Sequence, residues 1–174
     1  MNDYNNQDLM IMLFDTLTGN LLRSKQTNSW NDGTIYSQSM VFDQSNYVGA
    51  SLSVGDNWYM FRVLLADVSS VAKTDWVIST NDVDRDYDWA RGYSIIFNHN
   101  TSPTGYFTSG SLSIGNNLDD KGFLFYHILN DGTIQWEGRP DGDIDYKIKY
   151  LSLSPDNLIL WGCGIGSSGT NDRA

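Results

Sequence analysis

The chain has 174 residues, of which 40% are hydrophobic and 13% aromatic, so it can fill a core and is not intrinsically disordered. Its net charge of −10 excludes nucleic acid and anionic membrane surfaces as partners, because both need clustered lysine and arginine. Cys163 is the only cysteine, which excludes an intramolecular disulfide.

The composition predicts an all-β fold. Of the 21 acidic residues only Glu137 is a glutamate, and alanine occurs five times. Alanine and glutamate favour helices, whereas aspartate, asparagine, serine and glycine favour turns. A chain that is poor in alanine and glutamate and rich in aspartate, asparagine, serine and glycine is expected to form short strands joined by turns.

The first predicted element is a strand at Leu9 to Phe14, followed by a turn at 15–20 and a returning strand at 21–23. This apolar run is too short for a membrane span or a signal-peptide core, and no basic residue precedes it. We therefore expect a soluble chain with no signal peptide and no membrane insertion, located on a virion surface or otherwise in the cytoplasm.

Two segments in the middle of the chain share one strand signature. Residues 50–65 and 110–129 each begin with serine and apolar residues in alternation, pass a glycine turn and continue into an aromatic and β-branched run. The repetition predicts two similar β-layers.

The remaining strands are predicted at 34–36, 40–42, 76–78, 93–97, 133–136, 146–150 and 158–161. With roughly ten strands separated by turn signals, we expect a single-domain antiparallel β-sandwich or jelly roll at residues 1–161. Residues 162–174 are rich in glycine and serine, so we expect a C-terminal tail that is flexible or bound to a partner.

Tryptophans in polar surroundings indicate a ligand-binding surface. Exposed aromatic rings can stack on the apolar face of a sugar while amides and carboxylates bind its hydroxyl groups. We predict that the ligand-binding residues are Trp30, Asn31, Asp32, Tyr87 and Trp89. Trp58, Trp76 and Trp161 lie within predicted strands, and we expect them in the core.

The acidic segment at 82–88 places four carboxylates at alternate positions, and Ca²⁺ takes several oxygen ligands of this kind. The ligands of such a site would be Asp82, Asp84, Asp86 and Asp88. In extended chain, alternate residues lie about 6–7 Å apart, too far for one ion. We therefore expect no cofactor, with Ca²⁺ at these four aspartates as the alternative.

No set of residues with catalytic spacing is evident. His127 lies in an apolar strand and is predicted to be packed, and no Gly-x-Ser-x-Gly turn marks a nucleophilic serine. A single glutamate does not supply the pair of glutamates that many β-sandwich glycosidases use. Cys163 has no basic neighbour and is predicted to be structural. We therefore expect no enzymatic activity.

The acidic, helix-poor, asparagine- and serine-rich composition is typical of virion attachment and decoration modules. We expect a non-enzymatic binding module that recognises a glycan or cell-surface receptor within a virus- or phage-type surface assembly, as a homo-oligomer or part of a larger assembly. The alternatives are a purely structural subunit that makes protein–protein contacts and a glycoside-active enzyme on the same kind of sandwich.

Overall fold

The computed structural model describes residues 9–27, 35–43, 47–64, 74–80, 87–99, 104–114, 121–138, 145–156 and 159–167. These residues form an all-β fold with antiparallel sheets, as predicted. The twelve strands of the described residues are β1 Leu9–Phe14, β2 Leu21–Thr27, β3 Ile35–Phe42, β4 Tyr47–Val54, β5 Asn57–Leu64, β6 Thr74–Ser79, β7 Tyr87–Asn98, β8 Gly105–Ile114, β9 Lys121–Leu129, β10 Ile134–Gly138, β11 Asp145–Leu153 and β12 Leu160–Ser167.

Two four-stranded sheets follow one another along the chain. The first sheet has the order β3-β4-β5-β6 and the second has the order β10-β9-β8-β7, so each is a meander in which consecutive strands pair. The two segments with the shared strand signature become β4–β5 and β8–β9, the central pairs of the two sheets. The repetition in the sequence therefore corresponds to two layers with the same strand order.

The inner faces of the two sheets meet around Trp58, which is fully buried. Its indole Nε1 donates a 2.8 Å hydrogen bond to Ser51 Oγ, and its ring lies against two glycines of the second sheet. An added Cβ at Gly92 would collide with the indole, and one at Gly110 would lie 2.6 Å from its ring. These glycines let the backbone of β7 and β8 approach Trp58 closely.

The hairpin β11–β12 packs on the outer face of the second sheet, the face turned away from the first sheet. Ser109 Oγ donates a 3.0 Å hydrogen bond to the backbone oxygen of Ile148. The backbone nitrogen of Leu151 donates a 3.2 Å hydrogen bond to Ser94 Oγ. Both faces of the second sheet are therefore in contact with other strands.

The structure corrects the predicted elements at the C-terminus. The last strand begins at Leu160 and extends to Ser167, so the first part of the segment predicted as a tail is paired with β11. The strands predicted at 34–36 and 40–42 are one strand, β3.

In the part of the chain that the structure describes, no helix is long and apolar enough to cross a membrane.

Candidate functional site

The most exposed aromatic side chains among the described residues lie side by side on β11 and β12. Tyr150 is 70% exposed and Trp161 is 61% exposed. In the antiparallel register Tyr150 faces Cys163 and Trp161 faces Ser152. The two rings are therefore diagonal neighbours on one face, a relationship that places Cα atoms about 7–8 Å apart. We call Tyr150 and Trp161 the outer aromatic pair.

The local fold explains why this pair faces outward. Leu151 points toward the second sheet and is buried, so its neighbour Tyr150 points away from it. A register shift between Ile148 and Tyr150 adds a β-bulge at this point of β11. On β12, an added Cβ at Gly162 would lie 3.0 Å from Ile148, so Trp161 projects from the opposite face.

The prediction that Trp161 belongs to the core is therefore wrong, although Trp58 is fully buried as predicted and Trp76 is partly buried. The reason is the period of two along a strand. Leu158 to Trp161 reads as a continuous apolar run, but the strand that forms starts at Leu160 and places glycine on its inner side.

A second aromatic cluster lies on the outer face of the second sheet, on β8, β9 and β10. The imidazole of His127 stacks on Phe107 with a centroid distance of 4.4 Å and an angle of 21°. Trp136 is 42% exposed, and its ring centroid is 5.8 Å from that of His127. We call Phe107, His127 and Trp136 the β8–β10 cluster.

A β-bulge in β10 shapes the β8–β10 cluster. Ile134 pairs with Ile128 and Trp136 pairs with His127, so Gln135 is an extra residue on its strand. Burial lowers the pKa of His127, and a hydrogen bond with Gln135 partly opposes that shift. Its Nε2 atom is buried and has no hydrogen-bond partner. His127 is therefore a packed histidine, as its place in an apolar strand predicted.

A buried ionic cluster connects the two sheets at one end. Arg62 is 8% exposed, and its guanidinium donates to Asp43 Oδ2 at 2.9 Å, to Asp75 Oδ2 at 2.8 Å and to the backbone oxygen of Asn130 at 2.9 Å. Tyr106, which is fully buried, donates to the same Asp43 oxygen at 2.8 Å. We call Asp43, Arg62, Asp75 and Tyr106 the Arg62 cluster.

The electrostatics of the Arg62 cluster favour its charged form. Burial disfavours the guanidinium cation, but the hydrogen bond to Asp43 and the interaction with Tyr106 outweigh it and raise the pKa of Arg62. Burial, followed by the hydrogen bond to Asp43, raises the pKa of Tyr106 well above its ordinary value. Arg62 and Asp43 therefore form an ion pair that is held away from solvent and joins their strands.

The structure leaves most of the predicted site untested. Trp30, Asn31, Asp32, Asp82, Asp84 and Asp86 lie outside the described residues. The backbone of Tyr87, Asp88 and Trp89 lies in β7, where Tyr87 pairs with Ile114 and Trp89 pairs with Ser113. The side chains of these three residues are outside the described part, so whether they meet Trp30 stays a prediction.

No group of three or more histidine, cysteine, aspartate or glutamate side chains that could hold a metal ion occurs among the residues that the structure describes. Cys163, predicted to be structural, is exposed next to the outer aromatic pair. Sequence analysis also missed Tyr150. The alternation with Lys147 and Lys149 places Tyr150 on the dry face with Ile148, and the β-bulge between Ile148 and Tyr150, which the sequence pattern does not indicate, turns it outward.

No protein-family model matches this chain, and the search of curated proteins finds no match.

Proposed function

We propose that the chain is a non-enzymatic glycan-binding module, and the observation that carries this proposal is the exposed outer aromatic pair. The rings of Tyr150 and Trp161 offer apolar faces on which the C–H groups of a sugar ring can stack. Ser152 and Lys149 are exposed next to them and supply hydrogen-bonding groups for sugar hydroxyls. Two exposed rings on neighbouring strands offer an extended glycan two places to stack.

The wider setting that we propose is a virus- or phage-type surface assembly, in which the module recognises a receptor glycan. The support comes from composition. Only 18% of the residues are charged, so much of the polar surface is serine, threonine and asparagine, which form hydrogen bonds with uncharged polyols. The net charge of −10 makes a neutral glycan a better ligand than an acidic one.

A glycan array with the full chain tests the proposal, followed by titration of the best ligand. Trp161→Ala and Tyr150→Ala should each weaken binding by about 1–3 kcal/mol, the range for losing a buried aromatic contact, with little change in melting temperature. Phe42→Ala is the matched control, because Phe42 is 48% exposed on the first sheet, away from the pair.

Two results would contradict the proposal. One is an array without a single binding glycan, and the other is unchanged affinity in both variants when the fold is intact. Release of reducing sugar from a bound oligosaccharide would contradict the non-enzymatic part and favour the glycoside-active alternative.

The residues predicted from the sequence give a competing location for the same function. If the site is formed by Trp30, Asn31, Asp32, Tyr87 and Trp89, then Trp30→Ala or Trp89→Ala should weaken glycan binding while Trp161→Ala does not. If these rings are core or interface residues, the same substitutions should lower the melting temperature or break an oligomer instead. Measuring affinity and melting temperature for each variant separates the two locations.

A second candidate function is a structural subunit that makes protein–protein contacts. The observation in its favour is the β1–β2 hairpin, on which Phe14 is 50% exposed, Leu21 is 52% exposed and Leu22 is 56% exposed. Exposed apolar patches of this kind mark interaction sites. This candidate and glycan binding are compatible, because the β1–β2 hairpin and the β11–β12 hairpin that carries the outer aromatic pair are separate two-stranded sheets.

A further inference from the structure

We propose that Trp136 is a third stacking ring of the same glycan-binding surface, so that the ligand is an oligosaccharide longer than a disaccharide. The inference rests on the proposed function, because it extends the surface that the outer aromatic pair begins. It follows from four observations: the side of the molecule on which Trp136 lies, its distance from β12, the way its ring is held, and the polar group beside it.

The first observation is that Trp136 and the outer aromatic pair lie on the same side of the molecule. Trp136 pairs with His127, and paired residues point to the same face of a sheet. Tyr126 and Ile128, the neighbours of His127 on β9, are buried in the cluster that includes Trp58 between the two sheets. His127 and Trp136 therefore point to the outer face of the second sheet, the face on which the β11–β12 hairpin packs.

The second observation is that a single side chain, that of Phe125, separates Trp136 from β12. An added Cβ at Gly162, the neighbour of Trp161, would lie 3.6 Å from Cζ of Phe125. An added Cβ at Gly138 on β10 would lie 3.8 Å from Cβ of Phe125 and 3.4 Å from Cζ3 of Trp136. Trp136 therefore stands beside β12, where a chain of sugar units that extends from Trp161 toward β10 meets its ring.

The third observation is that the β8–β10 cluster holds the ring of Trp136 on one side and leaves the other side open. The ring centroid is 5.9 Å from that of Phe107 and 5.8 Å from that of His127, and the side chain is still 42% exposed. An aromatic ring that is already held in place loses little conformational freedom when a ligand stacks on it, which favours binding.

The fourth observation is an exposed amide beside this ring. Gln135 is the extra residue of the β-bulge in β10, and its side chain forms a hydrogen bond with His127. That bond places the amide on the outer face, next to Trp136. A side-chain amide has two donor hydrogens and an acceptor oxygen, so one bond to His127 leaves further groups for sugar hydroxyls. The ring and the amide together offer both kinds of contact that a sugar unit needs.

A length series tests the extension of the surface to Trp136. The full chain is screened on an array of linear neutral oligosaccharides of one to six units, and the series that binds best is titrated by calorimetry. Affinity should rise about tenfold or more from the disaccharide to the hexasaccharide, the gain from stacking on one more ring. Trp136→Leu should abolish that rise and leave disaccharide binding unchanged, whereas Trp161→Ala should weaken the binding of every member.

The variants at this position separate a ligand contact from a packing role. Leucine keeps an apolar side chain over His127 and Phe107, so the melting temperature of Trp136→Leu should stay close to that of the wild type. Trp136→Phe keeps an aromatic ring and should retain most of the rise in affinity with length. Phe42→Leu is the matched control, because it removes an exposed ring from the first sheet and should change neither affinity.

Amide hydrogen exchange of the wild-type protein gives a readout that needs no variant. The bound hexasaccharide should protect β10 together with β11 and β12, whereas the bound disaccharide should protect β11 and β12 alone. Protection that the hexasaccharide confines to β11 and β12 would overturn the inference and leave the proposed function standing, as would equal affinity for the two lengths. An array without a binding glycan would contradict the proposed function and the inference with it.

Discussion

Arg62 connects three parts of the chain, because its guanidinium binds Asp43 after β3, Asp75 on β6 and the Asn130 carbonyl in the β9–β10 turn. Trp76 Nε1 donates to the same carbonyl at 3.0 Å. The turn of the second sheet is thus held against the first sheet by two donors. Removing the guanidinium leaves the carboxylate of Asp43, which is 1% exposed, without its cation.

We therefore predict that Arg62→Met lowers the free energy of unfolding by about 3–5 kcal/mol, the cost of breaking a buried ion pair by removing one partner. Urea denaturation followed by fluorescence measures it. Asp75→Asn is the control, because that carboxylate is 42% exposed and a solvent-exposed pair contributes about 0–1 kcal/mol. Equal losses for the two variants would contradict the assigned role of Arg62.

His127 should make stability depend on pH. Burial lowers its pKa in the folded protein below the ordinary 6.5, so the unfolded chain binds a proton at a higher pH than the folded chain does. This contribution to stability is present above pH 6.5 and is lost as the pH falls below that value.

Denaturation midpoints between pH 7 and pH 5 test this dependence by comparing the wild type with His127→Gln. The variant should show a smaller fall in stability over this range, whereas His99→Gln, at an exposed position, should follow the wild type. A variant at His127 with the same slope as the wild type would contradict the prediction.

At the scale of elements, the β1–β2 and β9–β10 turns differ in whether they contact the rest of the protein. Gly19 and Gly132 both have positive φ, at 71° and 86°. An added Cβ at Gly19 meets nothing within 4 Å, whereas one at Gly132 would lie 2.8 Å from Cγ of Trp76. The β1–β2 turn is therefore open, while the β9–β10 turn is in contact with the first sheet.

We predict that Gly19→Ala costs about 1–2 kcal/mol of stability, the price of placing an L-residue in the left-handed region. Gly132→Ala should cost about 2–4 kcal/mol, because overpacking against Trp76 adds to the same backbone term. Thermal unfolding of the two variants measures the difference. A larger loss at Gly19 would contradict the contact between this turn and Trp76.

Sequence patterns predicted the strands well wherever turn chemistry bounded them. Leu9–Phe14 is β1 as predicted, and the Asn-Asp-Gly string at 130–132 does join β9 to β10. Local sequence patterns did not predict which strands pair with each other or in which register. The outward position of Trp161 depends on the register with β11 and on the glycines that face Ile148, and neither follows from a local apolar run.

The Arg62 cluster escaped prediction for the same reason. Its residues are 13 to 63 positions apart along the chain, and their meeting depends on how two meanders pack.

At the scale of the whole molecule, serines and glycines on the inner faces of the two sheets determine how the sheets pack. Ser53 Oγ accepts from the backbone nitrogen of Gly92 at 2.9 Å and donates to its oxygen at 3.2 Å, a contact that bridges the two sheets.

The response of the whole chain to Ca²⁺ follows from its charge and from the position of β7. Asp88 lies in an extended strand, where alternate residues are about 6–7 Å apart, and a calcium ion needs six to eight oxygen ligands at about 2.3–2.6 Å. We therefore predict no specific rise in melting temperature at about 1 mM Ca²⁺, the concentration range of weak extracellular sites.

Sodium chloride at matched ionic strength is the control for this last prediction. Salt screens the repulsion within a chain of net charge −10 and can raise the melting temperature without any bound ion. A rise that Ca²⁺ produces, sodium does not, and a chelator reverses would contradict the prediction. Asp82→Asn and Asp86→Asn would then identify the ligands, since removing one carboxylate from a true site should abolish the shift.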